Sequence, residues 1–134
     1  MLSHMPVVLG LTLCEDVVVD PATGNVSLIR SFTGLPVDNF PAVARPFCAF
    51  AALSDGEGEV DAELLVNTLE GEGTEAYQVS HRLRFTDRLQ IVYYVRRFSR
   101  CPLPIAGVYL FTLNLNGEWA AQRTLRVYPA GTMP

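Results

Sequence analysis

Gly107-Val-Tyr-Leu-Phe-Thr-Leu-Asn-Leu-Asn-Gly-Glu-Trp-Ala-Ala-Gln-Arg-Thr-Leu-Arg-Val127 reads as a β-hairpin. Two strand-like runs flank Asn116-Gly117, a strong short-range turn signal. A two-residue loop pairs Leu115 with Glu118, Leu113 with Ala120 and Phe111 with Gln122, which sets apolar residues opposite polar ones. A three-residue loop, with Gly117 left-handed in a bulge, sets Leu113 opposite Trp119, Phe111 opposite Ala121 and Tyr109 opposite Arg123. A one-residue slip turns every side chain to the other face, so the burial pattern discriminates between these registers. It selects the longer loop. The expected inward face is Tyr109, Phe111, Leu113, Trp119, Ala121, Leu125 and Val127, with Thr112, Asn114, Gln122, Thr124 and Arg126 turned to water.

Working outward, Val7 to Leu13 alternates and predicts a strand with Val7, Leu9, Leu11 and Leu13 on one face. Val17 to Val19 and Val26 to Phe32 flank Asp20-Pro-Ala-Thr-Gly-Asn25, where proline presets a turn and Gly24 accepts positive φ. Leu35 to Pro46 carries three prolines and crosses between sheets as loop or edge. Phe47 to Leu53 is apolar on both phases, as a central strand requires. Val60, Ala62, Leu64 and Val66 alternate with acidic and amide residues after the turn at Ser54 to Gly58. A second acidic turn at Glu70 to Glu75 leads into Tyr77 to Phe85, and Leu89 to Phe98 forms an aromatic-rich strand. Short strands at spacings of about ten residues, with no helical periodicity, predict an all-β, antiparallel immunoglobulin-like β-sandwich of about eight strands.

At 134 residues the chain predicts one domain over 1–134, with residues 1–5 a disordered extension or a cloning remnant. Such a chain buries roughly two-thirds of its unfolded surface, so its fold calls for no disulfide, metal or cofactor. Apolar residues make up 49% and charged residues 18%, a globular balance. No apolar run reaches the ~20 residues that cross a bilayer, and no basic leader precedes the first apolar stretch. Cys14, Cys48 and Cys101 lie at long, unrelated spacings. They suggest neither a disulfide framework nor a zinc site, and point to the cytoplasm with reduced thiols.

Several features match a known pattern. Leu13-Cys-Glu-Asp16 precedes a valine-rich strand, a glycine turn and Ser27-Leu-Ile29; later come Phe40-Pro41, Pro102-Leu-Pro104, Gly107-Val-Tyr-Leu-Phe111 and Asn116-Gly117. Together these resemble an uncharacterised bacterial family of single-domain proteins, a domain of unknown function with an immunoglobulin-like sandwich. The resemblance implies that fold and carries no activity and no functional residue.

All ten basic side chains are arginine, and charge is segregated along the chain. Asp55 to Glu75 holds eight carboxylates; Arg82 to Arg100 holds six arginines and one acid, Asp87. The simpler account is complementary neighbouring strands, Asp61 or Glu63 meeting Arg82 or Arg84, at about 0.2–1 kcal/mol per pair. The alternative joins acidic turns of one subunit to the arginines of another. Net charge of −4 and a pI near 5.0 argue against nucleic acid despite Phe85, Tyr93, Tyr94 and Phe98 among the arginines. Asp55-Gly-Glu-Gly-Glu-Val-Asp61 lacks the calcium-loop pattern. No phosphate loop, nucleophile elbow or metalloprotease motif is present.

His81 shares the apolar phase of Val79 and Leu83 and reads as a core or semi-buried histidine that donates to a backbone carbonyl. The leading expectation is therefore a non-catalytic protein-interaction or assembly module, with self-association, and with neither nucleic acid nor membrane as partner. Leu89, Ile91, Tyr93 and Val95 form one phase of their strand; Val92, Tyr94 and Phe98 form the other. If only one phase enters the core, Val92, Tyr94 and Phe98 make an exposed patch, and Arg82, Arg84 and Arg96 complete the candidate interface. A second expectation is a small-ligand or carbohydrate-binding sandwich using Tyr77, Tyr93, Tyr94 or Trp119. A third is an enzyme built on His81 and a cysteine.

Overall fold

The computed structural model describes residues 5–69 and 75–132. The expectations for residues 1–4 and for the acidic turn at 70–74 lie outside them. Eleven strands follow in order among the described residues: β1 Val7–Val19, β2 Val26–Ser31, β3 Gly34–Val37, β4 Ala42–Val43, β5 Phe47–Ser54, β6 Gly58–Thr68, β7 Glu75–Phe85, β8 Val92–Phe98, β9 Pro102–Leu103, β10 Gly107–Leu115 and β11 Glu118–Pro129. The number exceeds the expected eight because the proline-rich crossings contribute the short strands β3, β4 and β9, whose alternation is too brief to register in sequence.

A four-stranded sheet has the order β2-β1-β5-β8 and a five-stranded sheet the order β3-β11-β10-β6-β7; β4 and β9 form a small separate ladder. Every pairing is antiparallel except β11 with β3. The inner faces supply the core. Val60, Ala62, Leu64 and Val66 from β6 meet Leu11, Leu13, Ala49, Ala51 and Leu53 from the opposite sheet. Phe47 stacks on Phe98 with ring centroids 4.7 Å apart, and Phe111 meets both rings edge-on. Near the start of β10, the buried Tyr109 hydroxyl donates to the Ile105 carbonyl at 2.7 Å and accepts from the Ile105 N–H at 3.1 Å. This is the tyrosine corner of immunoglobulin-like sandwiches, which satisfies a buried phenol with backbone four residues upstream.

Two bulges correct the expected faces. In β1 the register with β5 shifts between Val8 and Leu11, where Gly10 has φ 131°. The extra residue reverses the alternation, so Leu11 and Leu13 are buried while Val7 is exposed and Leu9 is 61% exposed. In the C-terminal hairpin, the two-residue turn that the burial pattern rejected is present. Asn116 and Gly117 have φ of 50° and 81°, and Leu115 pairs with Glu118. Both φ values being positive fits the primed turn whose twist matches the strands. Asn114 then faces Trp119, Leu113 faces Ala121, and Ala120 is the surplus residue. Beyond that bulge Leu125 and Val127 turn inward as expected. Before it, Trp119 shares the outward side of Asn114 and is 63% exposed, not part of the core. With the two-residue turn, an unbroken register would turn Leu125 outward while Leu115 is buried, and the bulge lets the hairpin bury both.

Candidate functional site: the flanks of strand β8

β8 is the last strand of its sheet, paired to β5 on one side only. Its β-branched and aromatic residues suit an extended chain on either phase, so tertiary packing sets which phase goes in. Tyr94, 2% exposed, and Phe98 are buried in the core, and Val92 packs against it. Tyr94 lies opposite Ala51, whose small side chain leaves room for the ring. The expected exposed patch of Val92, Tyr94 and Phe98 is thus the buried phase. Arg82 and Arg84 are not brought to it either; they are exposed on β7 in the other sheet. Arg82 donates to Asp61 at 3.0 Å and to Glu59 at 3.3 Å, the complementary strand faces anticipated from sequence.

The opposite phase reaches the surface. Tyr93, 40% exposed, packs beside Phe50 with centroids 5.6 Å apart. Val95 lies opposite Phe50 and Thr12 faces it from β1, forming one outward row. Ile91 and Leu89, which lead into β8, are also exposed, as are Val7 and Leu9 on β1. At the far end of this outer face, Cys14, Val17 and Cys48 form a satellite cluster with Val26, Leu28, Phe50 and Val95 packed against it. Arg97 fastens the β1–β2 hairpin here. Its Nη1 donates to Asp16 Oδ1 at 2.6 Å and to Cys48 Sγ at 3.4 Å, while Nη2 donates to the Val17 carbonyl at 2.9 Å. The Arg97 guanidinium and the Val17 N–H hold the Asp16 carboxyl below its usual range. Burial raises both the Cys14 and Cys48 thiols.

Along the free edge of β8 the sandwich is open towards β7. Arg96 Nη2 donates to the Tyr77 hydroxyl at 2.6 Å, and the guanidinium lies over the Tyr77 and Phe98 rings at 5.8 and 5.7 Å. Tyr94 Oη and Arg96 Nε are buried without a hydrogen-bond partner among the described residues. Burial pushes the Tyr94 phenol up to about 12. A cleft of about 370 Å³ runs past this edge, lined by Val17, Val19, Ser80, His81, Tyr94 and Arg96. His81 is exposed on the edge strand, not semi-buried, because β7 has no neighbour beyond it. No hydrogen bond joins His81 to a cysteine among the described residues, and no group of three or more His, Cys, Asp or Glu is placed to hold a metal there. Among the described residues no helix is long and apolar enough to cross a membrane.

The outer face of the five-stranded sheet contrasts with all of this. Trp119, Asn114, Glu63 and Ser80 form one row across four strands, and Gln122, Thr112, Leu65 and Gln78 form the next. Gln78 donates to Glu63 at 2.8 Å and Trp119 to Gln122 at 3.3 Å. Trp119 is the surface aromatic that the expected register concealed; the Asn-Gly dipeptide alone pointed to the turn that exposes it.

The paired sheets and the tyrosine corner define an all-β, immunoglobulin-like sandwich domain. The chain belongs to a family of unknown function (DUF6941), which it matches over residues 9–128. It is also similar to a solved immunoglobulin-like protein from Pseudomonas aeruginosa, with 12% identity, 95% of this chain and 99% of that chain covered, and a TM-score of 0.42. No curated protein matches it.

Proposed function

We propose that this protein is a non-catalytic interaction module that binds a second copy of itself through the outer face of its four-stranded sheet. One observation carries the reading: that face is apolar and aromatic around the exposed Tyr93 and the half-buried Phe50 and Val95, whereas the outer face of the other sheet is mostly polar, Trp119 and Leu65 excepted. Exposed apolar patches of this kind mark association surfaces. A second copy is the partner the chemistry favours, because an apolar face is complementary to itself about a twofold axis. The flanking charges are already matched within the chain, Arg97 by Asp16 and Arg30 by Glu15, leaving little for a charged partner to read.

We place the module in the bacterial cytoplasm, which its free thiols support. Neither nucleic acid nor membrane is a partner in this reading. The net charge is −4, and Arg82 and Arg88 are engaged by Glu59, Asp61, Asp55 and Glu57. Sedimentation equilibrium over a wide concentration range tests the proposal. The wild-type chain should dimerise, and Tyr93→Lys with Val95→Lys should be monomeric with unchanged circular dichroism. A wild-type chain that stays monomeric at the highest concentration overturns it.

The cleft beside β8 supports a second reading, a small-ligand site. Two buried polar atoms without partners, Tyr94 Oη and Arg96 Nε, lie on residues that line it. Buried polar groups in this state call for a partner. An Arg96→Met variant that binds small carboxylates as weakly or as strongly as the wild type would remove that support.

A further inference from the structure

Cys14 and Cys48 lie far apart in the chain and share no motif, yet the β1–β5 register makes them direct partners on adjacent antiparallel strands. Residues so opposed have Cα atoms about 4.5–5.5 Å apart and side chains on the same face. A disulfide spans about 4.4–6.8 Å between Cα atoms, so the pair needs no rearrangement of the sheet. Both thiols are free and buried in the satellite cluster with Val17. They are close enough that, after burial itself, Cys48 is the largest influence raising the Cys14 thiol. Cys48 also lines a surface cleft of about 450 Å³ together with Asp16, Ile29 and Arg97. The Arg97 guanidinium, 3.4 Å from the Cys48 sulfur, is placed to steady negative charge there. Cys101 belongs to the separate main core, where burial pushes its thiol up to about 12.

We propose that Cys14 and Cys48 form a peroxide-responsive dithiol on the outer face of the four-stranded sheet, closing to an intramolecular disulfide. The Cys48 thiol releases its proton to solvent, and the thiolate attacks one oxygen of hydrogen peroxide. An S–O bond forms as the O–O bond breaks, and the departing hydroxide takes up a proton to become water. The Cys14 thiolate then attacks the Cys48 sulfur. The S–S bond forms, the S–O bond breaks, and the oxygen leaves as hydroxide, which takes the proton given up by Cys14 to become a second water. Two thiols lose two electrons in total, and one peroxide is reduced to two waters. The inference does not depend on self-association, which uses the neighbouring row of side chains.

The test treats the reduced, folded full chain with hydrogen peroxide, then unfolds it, alkylates it and maps its peptides by mass spectrometry. The expected product is a single chain with Cys14 linked to Cys48 and only Cys101 alkylated, returning to three alkylated thiols after dithiothreitol. In Cys14→Ser, reaction should stop at a Cys48 sulfenic acid that dimedone traps, and Cys48→Ser should form no intramolecular bond. Three alkylatable thiols after treatment of the wild type overturn the proposal. So does a bond between two chains, or one that includes Cys101. The wild-type peptide map is decisive even if either serine variant fails to fold.

Discussion

The two sheets share one core but present opposite chemistry to solvent. The outer face of the β2-β1-β5-β8 sheet carries Phe50, Tyr93 and Val95 beside a buried thiol pair, whereas that of the β3-β11-β10-β6-β7 sheet carries Asn114, Glu63, Ser80, Gln78 and Gln122 around Trp119 and Leu65. A sandwich needs only its inner faces to be apolar. Where an outer face is apolar too, the surplus is not explained by folding of the single chain. It demands either an internal cover, as the β1–β2 hairpin supplies over Cys14 and Cys48, or an external one.

The largest effect that separates the faces lies between two adjacent tyrosines. Tyr94→Ala should lower unfolding free energy by about 3–5 kcal/mol, the cost of truncating a large buried side chain, while Tyr93→Ala should cost under ~1 kcal/mol. Equal losses in urea titrations would show that the phase of β8 is misassigned. The hairpin permits the same comparison on the other sheet. Leu115→Ala should cost about 2–5 kcal/mol and Trp119→Ala under ~1 kcal/mol, the reverse of what a buried tryptophan demands.

Next comes the proposed contact between copies. Tyr93→Lys with Val95→Lys should raise the dimer dissociation constant by about 30-fold or more, the scale of a central interface residue near 2 kcal/mol. Trp119→Ala with Gln78→Ala, on the polar face, should leave it unchanged. Weakening by the polar-face pair alone would reverse the assignment of the interface.

The smallest effect concerns acid. Arg97 holds the folded Asp16 carboxyl below its unfolded value, so the pair contributes stability above the ordinary carboxylate range and loses it as pH falls through the lowered folded value. Both partners are half exposed, so solvent screens the interaction. Asp16→Asn should therefore flatten the acid limb of the stability profile slightly and leave its neutral plateau nearly intact. An unaltered limb in urea midpoints taken from about pH 7 to about pH 2 would show the clamp to be energetically silent.

The inward phases of β6 and β10 were legible because alternation is local: Val60, Ala62, Leu64, Val66 and Tyr109, Phe111, Leu113 each repeat with period two. Asn116-Gly117 likewise marks where the hairpin turns, although the burial pattern points to a longer loop than the two-residue turn present. The candidate interface was legible only as a strand. The sequence shows β8 to be apolar on both phases, but the expected surface phase of Val92, Tyr94 and Phe98 is the buried one, and Tyr93 and the half-buried Val95 face outward. A pattern apolar on both sides contains no phase information; the register with β5 supplies it, setting Tyr94 opposite the buried Ala51 and Tyr93 opposite the partly exposed Ala52. The bulges at Gly10 and Ala120 escaped for a related reason, since each reverses alternation midway through a strand whose two halves look regular.

By itself the amino-acid sequence determined an all-β chain of short strands, a hydrophobic inner layer and a C-terminal hairpin, because turn chemistry and two-residue periodicity act between near neighbours. Tertiary structure alone decided that Trp119 faces water, that Tyr94 does not, and that Cys14 meets Cys48. Each of those outcomes depends on the register between strands distant in the chain, and register is set where both sheets close on one core.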